Sequence, residues 1–150
     1  MIKDWLTIFR VSNAPTIISN TAVGVALAHS INADSILETW TICRVLITLL
    51  LIYFAGMTLN DAGDAKWDKE HRPNRPIPRG SLHAAQAWIV GFGFLTLAVI
   101  WNSNSVVPTL ALVGAVILYT FTHRWSFAAI VLMGLCRALV YVVAVDALIT

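Results

Sequence analysis

Charge is what this 150-residue chain has least of. Only 12% of its residues are Asp, Glu, Lys or Arg, against about 25% in soluble globular domains. That shortage, with 58% hydrophobic residues and a mean hydropathy of +0.76, excludes a water-soluble globule. Cysteine is nearly absent. Cys43 and Cys136 both sit in apolar segments without metal-ligand spacing, so they read as small buried hydrophobes rather than redox or metal groups. Proline is scarce as well, and three of the five prolines crowd into positions 73–78. No internal repeat, low-complexity tract or uniformly basic surface exists, and a net charge of +2 gives no support to nucleic-acid binding. An N-terminal signal peptide is disfavoured. Lys3 precedes an apolar stretch and Ala26-Leu27-Ala28 resembles a cleavage site, but Asp4 and the polar run Ser19-Asn20-Thr21 break the pattern, so the N-terminus is expected to be retained.

What the chain does have is apolar runs of the roughly 17–25 residues that cross a bilayer. These predict an all-α, multi-span transmembrane helix bundle of about five spans, at 14–31, 42–60, 83–101, 106–122 and 127–149, with a loop over 60–82. In residues 1–13, Trp5, Leu6, Ile8, Phe9 and Val11 recur at helical spacing and predict a short interfacial helix. Ser81 is the expected N-cap of the third span. The turn NSNS at 102–105 permits only an antiparallel return. Gly91, Gly93, Gly114 and Gly134 are expected where helices approach closely.

Basic residues set the orientation. With the N-terminus in the cytoplasm, Lys3, Arg10, Lys66, Lys69, Arg72, Arg75, Arg79 and Arg124 all lie inside. Asp34, Glu38 and the NSNS turn then lie outside, with Arg44 near that face. Trp5, Trp67 and Trp125 mark the inner interface, and Trp40 and Trp101 the outer one.

Half of the charge sits in one stretch, NDAGDAKWDKEHRPNRPIPRG, from Asn60 to Gly80. It holds five basic and four acidic residues of the chain's ten and eight. No proline intervenes between the second span and Pro73, so the helix is free to run past the apolar boundary. At about 100° per residue, Asp61, Asp64 and Asp68 then fall within an arc of about 60°. Three carboxylates this close repel one another unless cations neutralise them, and Lys66 and Lys69 project to other faces. An all-oxygen donor set suits a hard ion such as Mg²⁺, which is commonly held by one or two carboxylates plus substrate phosphates. An EF-hand does not fit, because its loop needs ligands at positions 1, 3 and 5. Downstream, Arg72, Arg75 and Arg79 alternate with Pro73, Pro76 and Pro78, which block a helix and leave guanidiniums able to grip phosphate oxygens. Two readings stand from spacing alone. One is a metal–diphosphate site at the cytoplasmic end of a membrane helix. The other is a solvated loop obeying the positive-inside rule, which accounts for the bases but not for three acids on one face.

The string N-D-x-x-D-x-x-x-D followed by R-P-x-R-P-I-P-x-G resembles the first aspartate-rich motif of the UbiA superfamily of intramembrane prenyltransferases, with Asn60, Asp61, Asp64, Asp68 and Arg72 through Gly80 at the matching positions. FRVSNAPTIISNTAVG is similar to that family's first span, and LYTFTHRW to the inner end of its fourth. GLCRAL at 134–139 is similar to a form seen in the UbiA-like member of ebo gene clusters. The resemblance covers essentially the whole chain. It implies an all-α membrane enzyme that holds an isoprenyl diphosphate through Mg²⁺ between two aspartate-rich motifs and transfers the prenyl group to a lipophilic acceptor, often an aromatic ring or quinone precursor.

On that resemblance, Asp61, Asp64 and Asp68 carry the catalytic and metal-binding roles. Asn60 orients a ligand or phosphate, and Arg72, Arg75 and Arg124 bind the diphosphate. His123 stands where the family commonly has the lysine of a Lys-Arg pair. No second acidic triplet follows; Asp146 is alone and near the outer end of the fifth span. The expectation is therefore the N-terminal part of a UbiA-type domain, whose site needs a C-terminal half or a partner chain for completion.

Two polar residues lie at membrane depth. Asn20 and Arg137 are open to a structural reading, helix packing or an ion pair, and to a place at the cavity. Tyr53, Phe54, Tyr119 and Phe121 are open to core packing or to lining a prenyl cavity. His29, His71 and His83 have no metal spacing. Two other functions use the same residues: a lipid-diphosphate hydrolase with the same Mg²⁺ grip, and a non-catalytic bundle that binds prenyl lipids or partners.

Overall fold

In hydrocarbon the backbone N–H and C=O groups must pair within their own segment, which makes a long apolar run helical. The computed structural model of the chain describes residues 1–32, 38–123 and 126–149. Among these the order is α1 (Ile2–Ile8), a 3-10 turn (Val11–Asn13), α2 (Ala14–Ile31), α3 (Thr39–Gly63), α4 (Ala65–His71), α5 (Ala84–Trp101), a 3-10 turn (Ser103–Ser105), α6 (Val106–Thr122) and α7 (Ser126–Ile149). Arg124, Trp125 and Asp34 lie outside the described residues.

The expected spans coincide with α2, α5, α6 and α7 to within a residue, while the second runs longer at both ends. α3, α5, α6 with its preceding turn, and α7 are long and apolar enough to cross a membrane. α2 has 18 residues, but Ser19, Asn20, Thr21, His29 and Ser30 dilute its apolar content. Four helices rather than five therefore meet both conditions among the described residues. α2 still packs along α3 and α7 as a member of the bundle.

α3 is the central rod. It contacts α2, α5, α6 and α7, and 44% of its most apolar stretch is buried, against 17% to 28% for the other three. The core gathers Val45, Leu49, Ile52, Ala55 and Leu59 from α3 with Leu95 of α5, Leu112 of α6 and Val143 and Ala144 of α7. Close approach is bought with missing side chains. A Cβ on Gly24 would meet Ala144 Cβ at 2.5 Å, and one on Gly91 would meet Leu59 at 2.6 Å. Gly56 is the third such position, with Val116 3.3 Å away. Of the glycines expected in this role only Gly91 fills it, because Gly93, Gly114 and Gly134 face open space.

The buried threonines of the bundle are satisfied locally. Thr21, Thr48, Thr58, Thr109 and Thr120 are buried, and each hydroxyl donates to the carbonyl four residues earlier at 2.6–3.0 Å. At the end away from the aspartate motif, Asn102 Nδ2 donates to Thr109 Oγ1, and Ser105 Oγ donates to Asp146 at 2.6 Å. Trp40 and Trp101 meet edge-on at this end, with ring centroids 6.1 Å apart.

The N-terminal segment forms the expected short helix and then turns sharply. Arg10 has φ 47° and ψ 50°, a left-handed conformation unusual for a residue with a side chain. Two contacts hold it. Phe9 packs on Phe54 and Phe94, and Tyr53 Oη donates to the Arg10 carbonyl at 3.1 Å. Ser81 does not cap α5. Its hydroxyl donates to the Pro76 carbonyl, and the cap falls on His83, whose backbone N–H donates to Gln86 Oε1 at 3.2 Å.

Candidate functional site

α3 does continue past the apolar boundary, carrying Asn60 and Asp61 in its last turn. It breaks at one residue, Asp64 (φ −84°, ψ −2°), and α4 resumes at Ala65 with Asp68 inside it. Asp61 and Asp68 come to one side. Arg75 reaches both, with Nη1 donating to Asp68 Oδ2 at 2.6 Å and to Asp61 Oδ1 at 3.3 Å. Arg10 Nη2 donates to the same Asp61 oxygen at 3.3 Å. Both carboxylates are buried, Asp68 to 1% exposure, so these arginines stabilise charge that water does not reach.

Asp64 takes a different direction. It faces His123 at the end of α6, where Nε2 lies 3.0 Å from Asp64 Oδ1. The other ring nitrogen, Nδ1, lies 2.9 Å from the Thr120 carbonyl. The three aspartates thus divide into a pair sharing Arg75 and a third held across the bundle. No three His, Cys, Asp or Glu side chains among the described residues come close enough to cage a metal by themselves. The donor chemistry nevertheless fits a hard cation completed by substrate oxygens: Asp68 Oδ1 and Asn60 Oδ1 are buried acceptors without a hydrogen-bond partner.

Beneath the motif a cavity of about 440 Å³ runs between α2, α3, α6 and α7. Its wall is mainly apolar, from Leu49, Ile52 and Met57 of α3, Leu112 and Val116 of α6, and Met133 and Val140 of α7. Asn60 lines the cavity, as do Asn20, Arg137 and Arg10. Asn20 Oδ1 accepts a hydrogen bond from Tyr141 at 3.2 Å. Tyr53 and Tyr119 are in the wall, whereas Phe54 packs on Phe9 and Phe121 stacks on Trp88 at the exposed surface.

The expected diphosphate residues separate. Arg75 is at the carboxylates, while Arg72 is exposed and lies over the Trp67 ring at 5.2 Å. Arg124 falls outside the described residues. Arg79 reaches α1 instead and donates to Asp4, tying the proline-rich loop to the N-terminal helix. Asp4 is held below the ordinary carboxylate value of 3.8 by a hydrogen bond from the Met1 ammonium, against partial desolvation and with added attraction from Arg79. Sequence reasoning missed Arg10 and the partnership of Asp64 with His123. Sequence separations of 51 and 59 residues leave no periodic signal. The left-handed turn at Arg10 has no sequence mark either, since no glycine stands there.

With this geometry in place, comparison with known proteins decides the family. The model of the UbiA prenyltransferase family matches residues 17–150. The chain belongs to the UbiA prenyltransferase family. Similar curated proteins include a digeranylgeranylglyceryl phosphate synthase of Methanococcus aeolicus, 29% identical over 83% of this chain and 44% of that protein. Another, of Methanoregula boonei, is 37% identical over 53% of this chain and 29% of its own length. A 4-hydroxybenzoate octaprenyltransferase of Idiomarina loihiensis is 30% identical over 61% of this chain and 36% of its own. The match thus spans less than half the length of each of these UbiA relatives. No solved structure matches the chain. Family and apolar helices together make this an integral membrane protein.

Proposed function

We propose that this chain carries the diphosphate-binding half of an intramembrane prenyltransferase, which moves an isoprenyl group from a prenyl diphosphate to a lipophilic acceptor with Mg²⁺. The observation that carries the reading is the pair of buried carboxylates, Asp61 and Asp68, gathered by Arg75 and Arg10, with the adjoining Asn60 and the same Arg10 in the wall of an apolar cavity. Asp61 and Asp68, with Asn60, would hold the metal against the diphosphate. When bound, Mg²⁺ supplies charge stabilisation for the departing diphosphate. Arg75 and Arg10 are close enough to neutralise the remaining phosphate charge, a role for which planar guanidiniums are suited. Asp64 stays on His123, which orients the motif from the α6 side. The apolar wall accommodates the prenyl chain and keeps water from the allylic carbon as its bond to oxygen breaks.

The basic residues clustered at the motif end favour a cytoplasmic location for it. Coverage of less than half of the relatives supports a site completed by further residues, from a C-terminal half or a partner chain.

The test is binding of labelled farnesyl diphosphate to the chain in nanodiscs, with and without Mg²⁺. Binding should require Mg²⁺ and should fall by at least tenfold in Asp61→Asn and in Asp68→Asn. Metal-independent binding, or unchanged binding in both variants, rejects the assignment. Product analysis after supplying a lipophilic acceptor separates the functions: a prenylated acceptor marks transfer, free prenyl alcohol marks hydrolysis, and no turnover marks a binding module.

A further inference from the structure

Asp61 and Asp68 are matched charge for charge by the chain itself. Arg75 Nη1 donates to Asp68 Oδ2 and to Asp61 Oδ1, and Arg10 Nη2 donates to that same Asp61 oxygen. Two carboxylates and two guanidiniums form a neutral group whose acids are nearly out of water, Asp68 at 1% exposure and Asp61 at 7%. Asp64 belongs to a separate contact, with His123. Lys66, Lys69 and Arg72 are exposed. A dication added to a neutral, buried group leaves two uncompensated charges there, which is costly. Two events remove the cost: a guanidinium leaves, or an anion arrives with the metal. Asp68 Oδ1 and Asn60 Oδ1 are unpartnered acceptors, but they offer the ion donor atoms and no further negative charge, because the charge of Asp68 is already matched.

Position points the same way as charge. A magnesium ion bridging the two acids needs their oxygens at about 2.1 Å, which puts it between Asp61 Oδ1 and Asp68 Oδ2. Arg75 Nη1 lies 3.3 Å from the first and 2.6 Å from the second, so it stands in that gap. It is the one nitrogen of Arg75 so engaged. Nε and Nη2 have no hydrogen-bond partner among the described residues, and the side chain is 26% exposed. The loop that bears it is fixed by other bonds. Ser81 Oγ and the Leu82 N–H both donate to the Pro76 carbonyl, and Arg79 donates to Asp4. Arg75 can therefore pivot about its side-chain torsions while the loop backbone stays in place.

We propose that Arg75 is an internal counter-ion that competes with the metal for Asp61 and Asp68 and leaves them only when a diphosphate arrives to receive its guanidinium. This rests on the metal–diphosphate part of the reading above and adds how loading of that site is controlled. The chain then holds a divalent ion weakly by itself and strongly with the diphosphate. By reciprocity the ion raises diphosphate affinity by the same factor. Removal of Arg75 has opposite effects on the two ligands: the metal alone binds more tightly, and the diphosphate loses a guanidinium suited to it.

The experiment titrates the chain in nanodiscs of zwitterionic lipid with Mn²⁺, which favours the same oxygen donors as Mg²⁺, and reads free Mn²⁺ by electron paramagnetic resonance with no substrate present. Arg75→Gln should bind Mn²⁺ at least about tenfold more tightly than wild type, because one positive charge beside the dication is gone. Arg75→Lys, which keeps that charge, should stay near wild type. Adding Asp68→Asn to Arg75→Gln should cancel the gain. Farnesyl diphosphate binding in the presence of Mn²⁺ should fall in Arg75→Gln. The opposite signs are diagnostic. A site merely loosened by the substitution would bind both ligands less, and an arginine that only grips phosphate would leave Mn²⁺ affinity unchanged; either result overturns the proposal. So does a wild-type chain that binds Mn²⁺ as tightly alone as with farnesyl diphosphate. If Arg75→Gln does not fold, Arg10→Gln decides, from the 40% exposed side of the same group: Mn²⁺ affinity higher by several-fold is expected, and an unchanged or lower one overturns the competition. Failure of the wild-type chain to bind farnesyl diphosphate with metal would instead reject the prenyl-transfer reading, with the Mn²⁺ comparison still deciding whether Arg75 competes for the acids.

Discussion

Replacing Arg75 by Ala should uncouple the aspartate motif from its proline-rich loop. Arg75 bridges Asp68 at 2.6 Å and Asp61 at 3.3 Å, with side-chain exposures of 26% for the arginine, 1% for Asp68 and 9% for Asp61. At an effective dielectric of 20, opposite charges about 4 Å apart attract by about 4 kcal/mol, so neither contact is negligible. Breaking a buried pair from one side costs about 3–5 kcal/mol, since the other charge stays behind without compensation. Arg10 remains on Asp61 and Arg75 is partly exposed, which places the expected loss near about 3 kcal/mol, the low end of that range. For a chain of this size, that corresponds to a fall of roughly 6–12 °C in melting temperature. The assay is thermal unfolding in detergent or nanodiscs, repeated with Asp68→Asn alone and in combination. The double variant should be more stable than the sum of the single losses requires, because the orphaned charge is gone. Addition of Mg²⁺ should raise the melting temperature of Arg75→Ala more than that of the wild-type chain, as the two carboxylates accept the ion. A melting temperature within 1–2 °C of wild type, or strict additivity with Asp68→Asn, would refute the reasoning.

Other consequences follow from packing and charge. Gly24→Ala should destabilise the bundle by about 1–3 kcal/mol, because its Cβ would lie 2.5 Å from Ala144 Cβ, whereas Gly134→Ala, in open space, should be neutral or stabilising by up to about 1 kcal/mol; thermal unfolding of the two variants side by side checks the contrast. Lowering pH should release α1. The Asp4 carboxyl is held below its ordinary value by the Met1 ammonium, with help from Arg79, so its anchoring is complete above that ordinary value and is lost as pH falls through the lowered one. Fluorine NMR of fluorotryptophan at Trp5 should show a transition below pH 3.8 that Asp4→Asn removes. Tyr53→Phe deletes the hydrogen bond to the Arg10 carbonyl and should cost about 1 kcal/mol while increasing hydrogen exchange at residues 9–13.

Local physics made much of the architecture readable in advance. Apolar runs of bilayer length can only become helices in lipid, so α5, α6 and α7 were visible in hydropathy alone. The placement of Asp61, Asp64 and Asp68 at the end of the second span was readable too, because helical order is a property of neighbours in sequence. What the sequence left open was set by encounters between distant segments. One backbone break at Asp64 and the end of α6 at His123 divided the acids into a pair and a single. The turn at Arg10 delivered a guanidinium to Asp61 from 51 residues away. The same holds for the glycines: four looked alike in sequence, yet contact requires a facing helix, and Gly91 has Leu59 against it while Gly93, Gly114 and Gly134 have open space. α2 was readable as a helix, but its polar content kept hydropathy from deciding its place, which came from the close seat of Gly24 on Ala144. Periodicity and hydropathy are sums over adjacent residues and specify which face is apolar. Which face meets which partner depends on helix axes crossing in three dimensions, and only the folded bundle contains that information.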